Sequence, residues 1–398
     1  MTSLRDTIPR VTHIAYFQGA LTGIAHGETF DELRTRIRQI SNELSRRLGG
    51  SAMSSRVADE FTVWSPTKDA VSELMLLGLV ERRPLPSKRI HVDAHRDTTY
   101  VLTTLGLEVI NKAGGNEASL RRELTPLLIQ QHPYLSSLCR VLSDSPVLIP
   151  EYTEEDLKAF RQKDGSPVEH LAVNASDRMR GSMPKAQVSP ESVAAQIRIA
   201  LDRRFPLGAT PTAKDILDTT NDAVVVAALE ARGLRFDAIT FDVLTSWGRQ
   251  LFIFDESRYV HAMAGRSIWA TAGVESTDGK ITVLRRGLSA YGDLVVGALA
   301  VAYRELAESM SEQMGGQVVK YPYIDIFRVR ALAAHRLGVS GALVDRVIAE
   351  IASGEREVPF RLELQLGTSN WPSSEPTFRL GSRRYYVMLI KSEGEGYE

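Results

Sequence analysis

Apolar residues recur at helical spacing along much of the chain. The first clear run follows Thr29-Phe30-Asp31-Glu32, whose spacing predicts a capping box in which hydroxyl and carboxylate each satisfy a free amide. Behind it Leu33, Ile37, Ile40, Leu44 and Leu48 share a face, Gly49-Gly50 ends the run, and Arg34, Arg36, Arg38, Arg46 and Arg47 lie outside the stripe. A second helix is expected from Pro66 to Val80, with Val71, Leu74, Met75 and Leu77 apolar. A polar stretch, Pro84 to Asp97, then leads to a strand at Thr99–Thr103 and a short helix at Leu105–Ala113. Residues 120–160 read as helical, with breaks at Pro126, Pro133, Pro146 and Pro150. Lys163 to Pro190 is polar, rich in Ser, Gly, Pro and Arg, and reads as a linker or mobile loop.

Order resumes at Ser189-Pro190-Glu191, where Val193, Ile197 and Leu201 share a face. Pro211–Leu217 and Asp222–Ala231 are two further helical candidates. Strands are expected at Phe236–Phe241, Gln250–Phe254, Ser267–Thr271 and Lys280–Leu284. Tyr291 to Met314 then carries Leu294, Val295, Ala298, Leu299, Ala302, Leu306 and Met310 as a long connecting or dimerising helix. The order of helices followed by a strand pair recurs three times. The resulting expectation is a helix-rich α+β chain with a unit over 1–118, a helical segment and polar linker over 119–188, and a middle α+β domain over 189–288. The connecting helix spans 289–318, and a last unit covers 319–398.

The most specific local signal is Ala334-His335-Arg336-Leu337-Gly338-Val339, followed by Val344 and Val347. Two helices joined by a tight turn need a small residue at their contact, a glycine in the turn and apolar residues locking the second helix. Ala334, Gly338 and Val339/Val344/Val347 have those properties, and Ile326, Val329 and Leu332 supply the first helix's apolar face. The second helix, about Ser340 to Ala352, is expected to expose Ser340, Gly341, Asp345 and Arg346 near its start, where such helices meet base edges. Strand-like Phe360–Leu366 and Tyr385–Ile390 follow. Helix, turn, helix and hairpin is the winged-helix layout.

Near the N-terminus, Glu73-Leu74-Met75-Leu76-Leu77-Gly78-Leu79-Val80-Glu81-Arg82 resembles the end of the recognition helix and the first wing strand of MarR- and PadR-type winged helices. Tyr100-Val101-Leu102-Thr103-Thr104-Leu105-Gly106 resembles their second wing strand and closing helix. The resemblance covers about residues 30–115 and implies a wing that reaches the DNA backbone. In the middle, Thr210-Pro211-Thr212-Ala213-Lys214-Asp215-Ile216 and Ala227–Leu234 resemble a third such helix pair, while a small α+β domain explains the following strands equally well. Tandem winged helices, two or three, are the expected fold.

Composition constrains this picture. The 398 residues carry 48 basic and 49 acidic side chains, a formal net charge of −1, which argues against indiscriminate coating of nucleic acid. Residues 31–115 hold 13 basic and 11 acidic residues, 321–398 hold ten of each, and 178–204 hold six cations against two acids. A DNA-binding face must therefore come from local clusters, since phosphate contact dominates affinity. The candidate contacts are Lys68, Arg82, Arg83, Lys88, Arg89 and Arg96 in the first unit, and Ser340, Arg346, Arg379, Arg383 and Arg384 in the last. The single cysteine, Cys139, excludes an internal disulfide. The longest apolar run, Leu294 to Tyr303, is too short to span a bilayer. Without a signal-peptide pattern, a cytoplasmic protein away from membranes is expected.

His91, Asp93 and His95 alternate and could share one strand face toward a metal, but they fall where a solvated wing is expected, and no metal or cofactor is assigned. Asp278-Gly279-Lys280 has the look of a metal-dependent nuclease strand, with Asp255 or Glu256 upstream; the plainer reading is a two-residue hairpin turn. Cys139 lies among Leu138, Val141 and Leu142 and reads as packing. Trp247, Trp269 and Trp371 could stack on bases but are more simply core. The leading expectation is non-catalytic binding of double-stranded DNA, as a bacterial regulator or the DNA-recognition subunit of a DNA-handling or defence system. Alternatives are an adaptor holding protein partners or a homodimer, as in chromosome-organising complexes, and a nuclease with a dispersed active site.

Overall fold

The computed structural model describes residues 13–47, 60–84, 98–164, 167–182, 189–205, 212–260, 265–313, 315, 321–366 and 378–392. In chain order the elements are α1 (Ile14–Ala25), α2 (Phe30–Arg47), α3 (Glu60–Leu76), β1 (Val80–Pro84), β2 (Thr98–Leu102), α4 (Thr104–Ala113), α5 (Glu117–Gln131) and α6 (Pro133–Asp144). Next come β3 (Val147–Pro150), α7 (Glu154–Arg161), α8 (Pro167–Ser182), α9 (Pro190–Arg204), α10 (Ala213–Glu230) and α11 (Ala238–Gln250). Then follow β4 (Phe254–Ser257), β5 (Gly265–Ala270), β6 (Ala272–Thr277), β7 (Lys280–Arg285) and α12 (Leu288–Gln313). The last elements are β8 (Ile324–Asp325), α13 (Ile326–Leu337), α14 (Gly341–Ala352), β9 (Phe360–Leu366), β10 (Phe378–Leu380) and β11 (Arg383–Ser392). Helices dominate, and the sheets are small and antiparallel, so the chain is α+β.

The chain forms two compact units. One comprises residues up to Leu138 together with Ile239–Leu251 and Glu275–Val283; the other comprises Cys139–Ala238, Phe252–Val274 and Leu284 onward. In the first unit, α1, α2 and α3 pack on one another and the β1–β2 hairpin follows, with Val80 opposite Leu102 and Arg82 opposite Tyr100. The expected capping box forms: Thr29 N donates to Glu32 Oε2 at 2.7 Å, and Glu32 N to Thr29 Oγ1. Phe17, Leu21, Leu33, Ile37, Leu74, Leu128 and Trp247 are among its fully buried side chains, with Phe17 edge-on to Trp247 at 5.5 Å. Trp247 arrives from α11, so a helix far along the chain completes this core. Beside it the imidazole of His132 meets the Glu73 carboxylate, both buried, with the Trp247 ring 5.2 Å from His132.

The second unit contains the three-stranded sheet β3-β5-β4, the helices α7–α10, and a bundle in which α12 packs on α13 and α14. In a further sheet β11 pairs with β9, β10 and β8. Val329, Ala333, Ala334, Val339, Val344, Val347 and Ile348 form one buried cluster with Val295 and Leu299 of α12.

Four expectations are corrected. The presumed linker from Lys163 contains α8, because Leu171, Ala172, Ala175, Ser176 and Met179 are buried at helical spacing; small interior residues lowered the hydropathy and hid the face. Phe236–Phe241 is not a strand, since α11 begins at Ala238 and buries Phe241, Leu244 and Trp247 along one side. The two middle helices are one helix, α10, whose interior Thr219 and Thr220 are buried, so no turn separates them and no helix-turn-helix forms there. Within 120–160, Val147–Pro150 is a strand paired to β5, its partner being remote in sequence.

Candidate nucleic-acid interface

The α13–α14 junction forms as its residues require. Gly338 adopts φ 59° just past α13, and the Val339 amide closes back to the Ala334 carbonyl at 3.0 Å. Ala334, Val339, Val344 and Val347 are buried. Ser340 caps α14 through Oγ, accepting from Leu343 N.

At the start of α14 Arg346 is exposed as expected and Ser340 and Asp345 are half-buried, but Gly341 is not exposed. Gly341 is buried and its amide donates to Asp255 Oδ2 of β4 at 2.6 Å, a carboxylate favourably placed at a helix N-terminus. Arg330 donates through Nε to the Gly341 carbonyl at 3.2 Å and forms an ion pair with Asp345 at 2.8 Å. Trp269 of β5, only 2 % exposed, donates its indole N–H to the Val339 carbonyl at 2.9 Å. Arg286 reaches the carbonyls of Leu337 and Gly338 at 3.0 and 2.6 Å. The first residue of α14 and the turn before it are therefore held by β4 and β5 of the same chain. Burial drives the Asp345 carboxyl up to about 6, against the opposing pull of Arg330 and with Asp255 adding to the rise.

Ala342 and Arg346 stay exposed on this end of α14; Arg346 pairs with Glu350 at 3.2 Å, and a pair this open on one side is weak and screened. Arg356, itself bound to Asp293, also holds Glu350, keeping its carboxyl below the usual range.

A basic cluster among the described residues sits on the β10–β11 hairpin. Its two-residue loop, Gly381-Ser382, opens on a glycine at φ 60°, the requirement of a type II′ turn. Arg379 lies directly opposite Arg384, and Arg383 opposite Leu380, so two guanidinium groups share one face and the third points from the other. All three are exposed, and among the described residues no carboxylate pairs with any of them. At the other end of β11 the charges are balanced: Lys391 and Arg361 both reach Glu363, and Lys391 dominates in lowering that carboxyl's pKa. Like charges placed opposite one another across a strand pair repel, and an anion between them removes the repulsion.

In the first unit, Lys68 is exposed on α3, on the same face as Ser72, Met75 and Leu76, while Ala70, Val71 and Leu74 are buried behind it. Arg82 and Arg83 are exposed on β1, and Arg83 pairs with Glu81 at 2.6 Å. Lys88, Arg89, Arg96, the His91/Asp93/His95 alternation and Trp371 lie outside the described residues.

At Asp278-Gly279-Lys280 the plainer reading, a hairpin turn, is the one that forms. Asp278 and Gly279, at φ 52° and 75°, form the β6–β7 hairpin turn, with Asp278 exposed, and Asp255 is engaged by the α14 amide. Among the described residues no group of three His, Cys, Asp or Glu side chains is placed to hold a metal ion. Cys139 is buried and its thiol is pushed up to about 12 by desolvation. No helix among the described residues is long and apolar enough to cross a membrane. Sequence reasoning gives Asp255 and Trp269 other roles and does not single out Arg286; all three are far from α14 in the chain and carry no local pattern that links them to it. Comparison with protein-family models, with curated proteins and with solved structures gives no match for this chain.

Proposed function

We propose that the protein binds double-stranded DNA without catalysis, through winged-helix-like modules in which the hairpins grip phosphates, as a regulator or the DNA-recognition subunit of a DNA-handling system. The observation that carries this is the β10–β11 hairpin, with Arg379 facing Arg384, Arg383 beside them, and no carboxylate among the described residues to neutralise them. Bidentate guanidinium contacts suit phosphate oxygens, and such contacts set affinity rather than sequence. With Gly341 buried and the turn before α14 held by β4 and β5, base reading by the C-terminal module is not part of the proposal; Lys68 and Ser72 on α3 are the candidates for groove contact.

A salt titration of binding to random duplex tests it. Three phosphate contacts contribute about 2.7 to the log–log salt slope, and the Arg379→Ala/Arg383→Ala/Arg384→Ala variant loses that share. Absence of binding at low salt, or a slope unchanged in the variant, overturns the reading. The second reading, an adaptor for protein partners, is favoured by one observation: the turn between α13 and α14 already serves as a packing surface for β4 and β5.

A further inference from the structure

Helix α12 has two contrasting faces. Val295, Leu299, Ala302 and Tyr303 are buried, and the helix packs through this side on α13 and α14. On the opposite side Ala290, Leu294, Gly297, Val301, Arg304 and Glu308 are exposed, at successive spacings of four and three residues. That alternation is the seam of a coiled coil, and here it faces outward. Leu294 and Val301 are 54 % and 43 % exposed. Gly297 lies between them, and a Cβ added there would meet nothing within 4 Å, so another backbone has room to approach closely. The charges flank the apolar segment: the side chain of Asp293 is fully exposed at one end, where one oxygen accepts from Arg356 at 2.7 Å and the carboxylate stays open to a second cation, and Arg304 at the other has no carboxylate partner among the described residues.

This pattern is complementary to itself in one direction only. An in-register parallel pair would set Arg304 against Arg304 and Glu308 against Glu308. Turning one copy around an axis between Gly297 and Ala298 places Leu294 on the other copy's Val301, and brings Arg304 within one helical turn of the other copy's Asp293. We propose that the outer face of α12 binds a second copy of this chain in that antiparallel arrangement, an isologous contact closed by a two-fold axis. Two apolar residues and one reciprocal charge pair from each copy make a short interface, so the dimer forms reversibly and depends on concentration.

Sedimentation equilibrium of the full chain, from low to high micromolar concentration, is expected to show monomer passing to dimer. Leu294→Glu and Val301→Glu each weaken the association by roughly tenfold or more, because each places a carboxylate in the apolar segment. Orientation is read by disulfide trapping, in which the buried Cys139, with its raised thiol pKa, does not compete. A mixture of Leu294→Cys and Val301→Cys chains is expected to cross-link between the two species, and neither species with itself. A chain that stays monomeric throughout overturns the proposal, as does a dimer indifferent to both glutamates or cross-linking of Leu294→Cys chains to each other.

Discussion

Replacing Gly338 by alanine tests the packing of the α13–α14 turn directly. The first cost is conformational: at φ 59° an L-residue is disfavoured by about 1 kcal/mol. The second is steric, since a Cβ at this position would overlap the Arg286 guanidinium and stand 3.1 Å from the Ala270 carbonyl oxygen. The backbone oxygen is held by its sheet, so Arg286 must leave, and its hydrogen bonds to the Leu337 and Gly338 carbonyls go with it. Bonds from a charged donor contribute about 1.5 kcal/mol each at the low end, the appropriate end for a half-buried site. The sum is about 4 kcal/mol. Gly354 is the control: φ is 77° and nothing lies within 4 Å of an added Cβ, so Gly354→Ala meets only the conformational cost of about 1 kcal/mol. Native-state hydrogen exchange of peptides from α13 and α14 measures both. A gap of about 3 kcal/mol is roughly a hundredfold in protection. In an Arg286→Ala background the gap should close, because the overlapping group has gone. If Gly338→Ala and Gly354→Ala cost the same in the wild-type background, Arg286 does not bracket the turn and the reasoning fails.

Two further outcomes follow from ionisable groups, Asp345 half-buried and Glu73 buried. Asp345 has a folded pKa of about 6, above that of the unfolded chain, so its contribution to stability is fully present below about pH 4 and is lost as pH rises through 6; urea midpoints of the wild type should fall across that window, and those of Asp345→Asn should lack this component. Removing Glu73 leaves His132 buried without its partner, and Glu73→Ala should cost about 3 kcal/mol in urea unfolding, with Glu73→Gln costing clearly less because it keeps an acceptor; equal losses would show that the contact itself contributes nothing.

The C-terminal helix pair was legible because everything it needs is local. Ala334, Gly338 and the three valines lie within fourteen residues, and each has a single steric or conformational duty. Strand β9 falls on the expected span for the same reason, its end residues Phe360 and Leu366 being set by local pattern. The hold of β4 and β5 on Gly341 and the turn before α14 was not legible, because Asp255 and Trp269 act through hydrogen bonds to backbone groups, which leave no mark on the partner's side chains. Helix α8 is hidden because Ala172, Ala175 and Ser176 fill its buried face between Leu171 and Met179. Helix α10 runs unbroken through the gap between the two expected helices, where Thr219 returns its hydroxyl to the Asp215 carbonyl and stays in the helix.

The contribution of α11 to the first core bears on how this chain can be cut and inherited. Phe17 and His132 both rest on Trp247, and Ile14 donates its amide to Gln250 at 2.8 Å, so a fragment ending at Leu138 would expose the side of its core that α11 covers. The N-terminal module is therefore not a cassette: a recombination event that moved residues 1–138 into another gene would transfer an incomplete fold. Swapping modules between relatives, or expressing this one alone, requires grafting the α11 segment as well.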